Sequence, residues 1–446
     1  MHISLYLRPE FRVSDMKMIN PLIIVRILST ILLIESLAFL ICLPVATIYK
    51  ESFYPYLWSS VIAGLFYILF RFISRSTDTS KISNRDAYIA VILSWFILSA
   101  TGMLPYLISG AIPSVNNAFF ESASGFTTTG ASILTDVEAL PHSIIFWRSL
   151  THWIGGIGII VLVIIILPSL KLSSHQLFSL ESSLREKILP KTKAVGFRLF
   201  FVYIGLTVLQ IVFMCIGGMN LFDSICHTFG TVATGGFSTK NSGIGHYSSY
   251  IQYVIAIFMF LSGVSFVLYY YIVKRQFTKV KHNEELWFYT GTVIISGITA
   301  ALILLIQAGK PVETAFREGF FQVISIITTT GYATSDYLLW PSSGIILIFI
   351  LFFSGASTGS TTGGIKMARH LLIIKNIRNI FVKLIHPNAI TQIKLNKKPV
   401  NDSTNISIIS FIILYIFIFI SGSVIIVSTG VEPVTSASAV AATLGN

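Results

Sequence analysis

Three segments of the chain carry the same uncommon chemistry. FESASGFTTTGAS ends at Ser132, SICHTFGTVATGGF at Phe237 and FQVISIITTTGYA at Ala333. They share the pairs Thr129-Gly130, Thr234-Gly235 and Thr330-Gly331, with no carboxylate or imidazole at the pair itself. Such segments offer uncharged carbonyl and hydroxyl oxygens, the hard ligands that replace water around an alkali cation. Glycine, lacking a Cβ, takes positive φ cheaply and lets successive carbonyls turn into one lumen. The candidate ion ligands are therefore Thr127, Thr128, Thr129 and Gly130; Val232, Ala233, Thr234 and Gly235; and Thr328, Thr329, Thr330 and Gly331. Thr443 and Leu444 are the candidates from a fourth, incomplete unit. Taken singly, a Thr-Gly pair is more simply a turn or a small-residue helix contact. Recurrence at intervals of 105 and 96 residues favours the ligand reading.

The elements that must position these segments are membrane helices. Of 446 residues, 54% are hydrophobic and 11% charged, against roughly 25% charged in soluble proteins. That excludes an ordinary soluble enzyme. Apolar runs long enough to cross a bilayer fall near 21–47, 56–73, 87–109, 143–169, 199–218, 248–273, 287–308, 342–385 and 405–428. The three Thr/Gly segments lie in the gaps 109–143, 218–248 and 308–342, too apolar for exposed loops and too broken to span. They read as re-entrant. Lys and Arg test this threading, since they accumulate in cytoplasmic loops. Twenty-five of the 31 fall in the N-terminal tail and in 71–85, 171–198, 274–281 and 366–398. Lys50, Arg148, Lys240, Lys310 and Arg317 lie opposite, against nine acids, so the outer face attracts cations. The net charge of +12 is thus sorted across a membrane, and nucleic acid is not the partner.

The unit that repeats is helix, dipping loop, helix. Its parts are an N-terminal helix pair at 1–85, pore repeats at 86–175, 195–282 and 285–386, and an incomplete repeat at 400–446. Asn117 to Ser124, Asn220 to Phe229 and Thr314 to Ile326 are expected as half-membrane helices whose C-terminal ends carry about half a negative charge toward the pore. Backbone exposed at membrane depth survives only where protein buries it or where it lines a watery cavity, so the dips must converge.

Residues 355–364 are all Gly, Ser, Thr or Ala and interrupt what would otherwise be a 40-residue helix. They are either an intramembrane gate under the pore or a small-xxx-small helix contact through Gly355, Gly359 and Gly363. Gly359 to Gly364 supplies GxxxxG, but Ile365-Lys366 follows where a phosphate-binding loop needs Lys-Ser/Thr. Lys366 and Arg369 suit a barrier at the inner mouth or, more simply, an anchor at the helix end. His152, beside Gly155, Gly156 and Gly158, suits close packing better than a proton relay. Glu35 and Arg148 suggest satisfied partners within the bundle. Glu121, Asp223, Glu318 and Asp336 suit simple solvation at the interface better than a weak outer-vestibule role. Cys42, Cys215 and Cys226 are too widely spaced for a zinc site and read as packing residues. No HExxH or GxSxG occurs, so the chain is not read as an enzyme. A sodium- or proton-coupled secondary transporter is the alternative, with Glu35 as its one intramembrane carboxylate near broken helices.

SGFTTTGAS, THWIGGIGI, FGTVATGGFST, ITTTGYATSDY and GASTGSTTGGIKMARH together resemble the bacterial Trk/Ktr superfamily of potassium-transporting membrane subunits, in its Trk-type (TrkH) branch. The resemblance covers the whole chain. It implies an all-α polytopic membrane protein with potassium-channel-like, pseudo-fourfold helix–re-entrant loop–helix repeats plus two N-terminal helices. It implies K+ as the transported ion, one filter glycine per repeat matching Gly130, Gly235 and Gly331, and 355–364 as an intramembrane gating loop. It further implies a homodimer in lipid of the bacterial inner membrane, with its N-terminus cytoplasmic and a cytosolic ring of nucleotide-binding regulatory subunits as partner. A fourth filter glycine and a last helix are expected beyond Asn446.

Overall fold

The computed structural model describes residues 19–75, 77, 83–169, 192–388 and 392–446. The basic N-terminal tail and most of the 171–198 segment lie outside the described residues. Long helices dominate. In chain order they are α1 (Pro21–Ile48), α2 (Tyr54–Ile73), α3 (Asn84–Gly102), α4 (Leu104–Ser109), α5 (Val115–Phe126), α6 (His142–Ser169), α7 (Thr192–Ile216) and α8 (Leu221–Val232). There follow α9 (Ser249–Ser262), α10 (Phe266–Val273), α11 (Phe277–Lys281), α12 (Glu284–Ile306), α13 (Val312–Ile327), α14 (Ser342–Leu351) and α15 (Met367–Ile385). The series ends with α16 (Asp402–Ser428) and α17 (Pro433–Leu444). A two-stranded hairpin, β1 (Lys394–Leu395) and β2 (Lys398–Pro399), precedes α16. Its turn residues Asn396 and Lys397 both take positive φ, the twist that a two-residue hairpin requires.

Among the described residues, six helices are long and apolar enough to cross a membrane. The pair α9 and α10, bent by 92°, would make a seventh. The chain is a polytopic membrane protein. Its large apolar side chains face outward over much of the surface; Leu65, Phe201, Ile295 and Phe417 are examples. That arrangement suits lipid.

One expected span differs from the sequence reading and another keeps its extent with an interrupted ladder. The run near 87–109 is one candidate span, Arg85–Ser109, its helical ladder interrupted at Met103 because Pro105 has no amide to continue α3 and instead sits in the first turn of α4. The run near 248–273 breaks at 263–265. There the Gly263 carbonyl and the Phe266 amide leave the helix and bond to Ser357 N and Gly359 O, each at 3.0 Å. The 342–385 run is interrupted, with α14 and α15 flanking a non-helical stretch. Gly355, Gly359 and Gly363 are therefore not points of helix–helix contact.

Four short helices stand apart from the spans. α5, α8 and α17 have 12 residues and α13 has 16. At 1.5 Å per residue these reach only about 18–24 Å, short of a roughly 30 Å hydrocarbon layer. Each packs against long helices: α5 on α3 and α6, α8 on α6 and α7, α13 on α9 and α12, and α17 on α16. The main core joins α7 to α15 around Tyr203, Phe266, Tyr289 and Phe321. A second core wraps Trp147 and Phe126 with Phe39 and Tyr56 of the N-terminal pair.

Candidate ion-conducting site

The chain leaves α5, α8 and α13 through one repeated backbone path. Thr127, Ala233 and Thr328 cap these helices and donate to Ala123, Phe229 and Ile324. Thr128, Thr234 and Thr329 follow in the left-handed region, with φ of 59°, 58° and 54°. Thr129, Gly235 and Thr330 then donate to Ser124, Gly230 and Ser325 at 2.9, 2.8 and 2.9 Å. Gly130, Gly236 and Gly331 complete the path with φ of 75°, 82° and 81°. A β-branched residue at positive φ is strained, and strain repeated three times at one position is built in by the surrounding structure. Helix carbonyl ends point at these segments, giving them a negative potential.

This path corrects the register of the second segment. The left-handed glycine there is Gly236, so Ala233 to Gly236 corresponds to Thr127 to Gly130 and Thr328 to Gly331, while Val232 still belongs to α8. The true intervals between glycines are 106 and 95 residues. Two adjacent glycines allow the Thr-Gly pair to be matched one residue early. The fourth segment needs a larger correction. Gly445 caps α17 and donates to Ala441, as Thr127 does to Ala123. Thr443 and Leu444 are thus in the last turn of the helix, and the Thr443 hydroxyl is bonded back to Ala439 O at 2.9 Å. Asn446 takes the position of Thr128, and its amide donates to Thr127 O at 3.0 Å and Thr129 Oγ1 at 2.7 Å.

The segments touch. A Cβ on Gly130 would strike the Gly235 carbonyl, and one on Gly236 the Thr330 carbonyl. In the first and third segments the outer threonines bond through their hydroxyls, Thr127 to Thr129 at 2.7 Å and Thr328 to Thr330 at 2.8 Å. The second has Ala233 and Gly235 instead, and the ring of His152 fills the space beside Gly235. That ring stacks on Phe237 with centroids 3.9 Å apart. Gly155 and Gly156 of the same helix press on Phe126 O and Ala233, so the packing role of THWIGGIGI is played against the candidate filter backbone.

Behind the segments, equivalent positions hold different chemistry. Glu121 accepts from the Ser132 hydroxyl at 3.0 Å and from Ile133 N at 3.1 Å. His227 Nε2 lies 3.0 Å from Ser238 Oγ, and Gln322 occupies the third position. Glu121 is wholly buried and paired with Arg148 at 2.6 Å. Arg148 also donates to Ser238 O at 3.1 Å and lies 3.5 Å over the Phe237 ring. The contacts of the serine and histidine resemble a nucleophile pair, but His227 Nδ1 faces the Asp223 backbone carbonyl at 2.9 Å. The bond has the same place as Glu121–Ser132, which marks it as an anchor for the emerging strand. Asp223 and Glu318 are anchors too, taking hydroxyls of Thr239 at 2.6 Å and Ser335 at 2.8 Å. Asp336 caps a short 3-10 turn. Simple solvation, expected for these acids from the sequence, fits only Asp336.

Above the glycines opens a cavity of about 420 Å³ lined by Gly236, Ser238, Lys240, Gly331, Asp336 and Tyr337. An exposed clip closes its rim, with Asn241 bridging Asp136 at 2.7 Å and Val137 N at 2.8 Å, and Lys240 meeting Glu138 at 3.2 Å. The bond from Asn241 holds the Asp136 carboxyl below its ordinary range.

Beneath the segments lies the 355–364 loop. It is closed by Gly355 N to Ile365 O at 2.9 Å and Met367 N to Ala356 O at 3.1 Å. Thr361 donates to Val232 O at 3.2 Å, and Gly363 N donates to Thr329 Oγ1 at 3.0 Å. The loop therefore sits directly under the second and third segments. Lys366 turns back to Thr362, bonding its carbonyl and its hydroxyl. Glu35 accepts from Thr101 and lies beside Gly102 of α3, the point on which Ser122 and Phe126 of α5 also press. Cys42 and Cys226 are buried and Cys215 is exposed, all three as free thiols.

The chain matches the TrkH family model, described as cation transport protein, over residues 59–294 and 293–446. It is 32% identical over 437 residues to the Trk system potassium uptake protein TrkH of Halomonas elongata, covering 95% of this chain and 89% of that protein. It is 34% identical over 376 residues to the protein of the same description from Escherichia coli K12, covering 83% and 78%. The crystal structure of the potassium transporter TrkH from Vibrio parahaemolyticus superposes with a TM-score of 0.86 at 29% identity, covering 96% of this chain and 90% of that one.

Proposed function

The chain belongs to the TrkH family of cation transport proteins, and from that premise we propose that it takes up potassium through a filter built from 127–130, 233–236 and 328–331. The observation that carries the proposal is the threefold backbone path with its left-handed Thr and Gly at matching positions. Its carbonyls replace the hydration shell of K+, and the helix ends behind them favour the positive charge. Binding has to be modest, since conduction requires the ion to leave. The family reading further supplies a bacterial inner membrane setting with a cytoplasmic N-terminus, a homodimer, and a cytosolic nucleotide-binding ring at the basic face. The domain limits given above follow from the same reading.

The test is selectivity. Gly331 has φ of 81°, and a Cβ placed on it would meet no atom within 4 Å, so Gly331→Ser adds only backbone strain, about 1–2 kcal/mol. Potassium over sodium permeability in liposome flux assays is expected to fall several-fold. An unchanged ratio removes the filter assignment.

The 355–364 loop is proposed as the gate, a reading supported by its contacts with Val232 and Thr329. Deleting Gly359 to Thr362 is expected to raise potassium flux in the same assay. Equal or lower flux defeats the gate.

A further inference from the structure

We propose that Glu285 is the latch that holds the 355–364 loop under the filter. This rests on the gate reading above and names the residue that sets it. Glu285 lies in the first turn of α12 and is 7% exposed. Its Oε1 accepts from Thr358 N at 2.6 Å, from Thr358 Oγ1 at 2.8 Å and from Ala368 N at 3.1 Å. Thr358 belongs to the limb that enters the loop, and Ala368 to the first turn of α15 after it. One carboxylate oxygen on a third element thus joins both limbs.

The remaining ties differ in kind. Apart from the Lys366 ammonium, which turns back from the loop's own exit onto Thr362, they are neutral bonds of the loop to itself, to the α9–α10 break, to Val232 O and to Thr329 Oγ1. Bonds to an ionised acceptor are roughly twice as strong as neutral ones, so Glu285 is the strongest point at which the loop is held to a neighbouring helix. The turn that carries it is itself tied outward. Glu284 pairs with Lys375 of α15, and its amide donates to Asn396 Oδ1 of the hairpin at 2.8 Å. A movement of that turn would carry the latch with it. Glu285 is a positioning residue and touches no part of the candidate filter.

The experiment measures potassium flux and the potassium/sodium ratio in liposomes for the unaltered protein, Glu285→Ala, Glu285→Gln, Thr358→Val and the loop deletion. Glu285→Ala is expected to raise flux about tenfold, as a one-decade shift of the closed–open balance would, with the ratio unchanged. Glu285→Gln keeps an acceptor oxygen and should rise less. Thr358→Val removes one donor at conserved shape and should also rise, which keeps the test valid if the alanine variant folds poorly. Adding Glu285→Ala to the loop deletion should give no further increase. If the deletion raises flux while Glu285→Ala and Thr358→Val leave it at the starting level, the latch is wrong and the gate stands. A deletion without effect overturns the gate and the latch together. A changed potassium/sodium ratio in Glu285→Ala would also overturn the latch, since it would mean action through the filter.

Discussion

Gly236→Ala is expected to abolish potassium selectivity and reduce uptake by more than about tenfold, an effect that only Gly130→Ala should match among the left-handed glycines of the three segments. Two costs combine there. With φ at 82°, any side chain costs about 1–2 kcal/mol of backbone strain. The new Cβ would also strike the Thr330 carbonyl of the neighbouring segment, which is backbone and cannot rotate away. Either the second segment leaves the left-handed conformation or the third loses the position of a candidate ligand carbonyl. Both outcomes change the ring of oxygens proposed to replace water around the ion. Gly331→Ser, with strain alone, should be milder. The ranking is checked by measuring potassium and sodium permeability for both variants side by side. A Gly236→Ala protein that folds and discriminates as well as the unaltered one would show that the second segment does not face the ion path.

Much of this architecture was legible in the sequence because it depends on length and composition. Apolar runs give the spans, and the Thr/Gly segments between them can be neither spans nor solvated loops. The half-membrane helices before Thr127, Ala233 and Thr328 follow from the same argument. The register of the second segment was not legible, because Gly235 and Gly236 are interchangeable in a Thr-Gly match and only dihedral angles separate them. The break at 263–265 was hidden for a different reason: its backbone groups are satisfied by residues almost a hundred positions later, Ser357 and Gly359. The supporting shell left no motif at all. Equivalent positions hold Glu121, His227 and Gln322, so a repeat search sees three unrelated residues where the structure has one location. Glu285 was equally silent, as an acid at the end of a span is ordinarily solvated.

Breaking the Glu121–Arg148 pair is the second large effect expected, and it separates stability from selectivity. The two side chains are 0% and 4% exposed and meet at 2.6 Å. Arg148→Met would leave a buried carboxylate with only the Ser132 and Ile133 donors, and losing one partner of such a pair costs about 3–5 kcal/mol. Glu121→Gln strands the guanidinium in the same way. Replacing both together removes the charges as a set, which is often near neutral, so the double variant should regain most of the thermal stability lost by either single one. Selectivity should not return with it. Arg148 also holds Ser238 O and the Phe237 ring, the residues that follow Gly236, and methionine offers no donor to replace those contacts. Thermal unfolding in detergent and permeability ratios in liposomes, measured on all four proteins, decide the matter. Additive stability losses would show that the charges are not coupled. Recovery of selectivity in the double variant would show that the pair holds the bundle together without positioning the second segment.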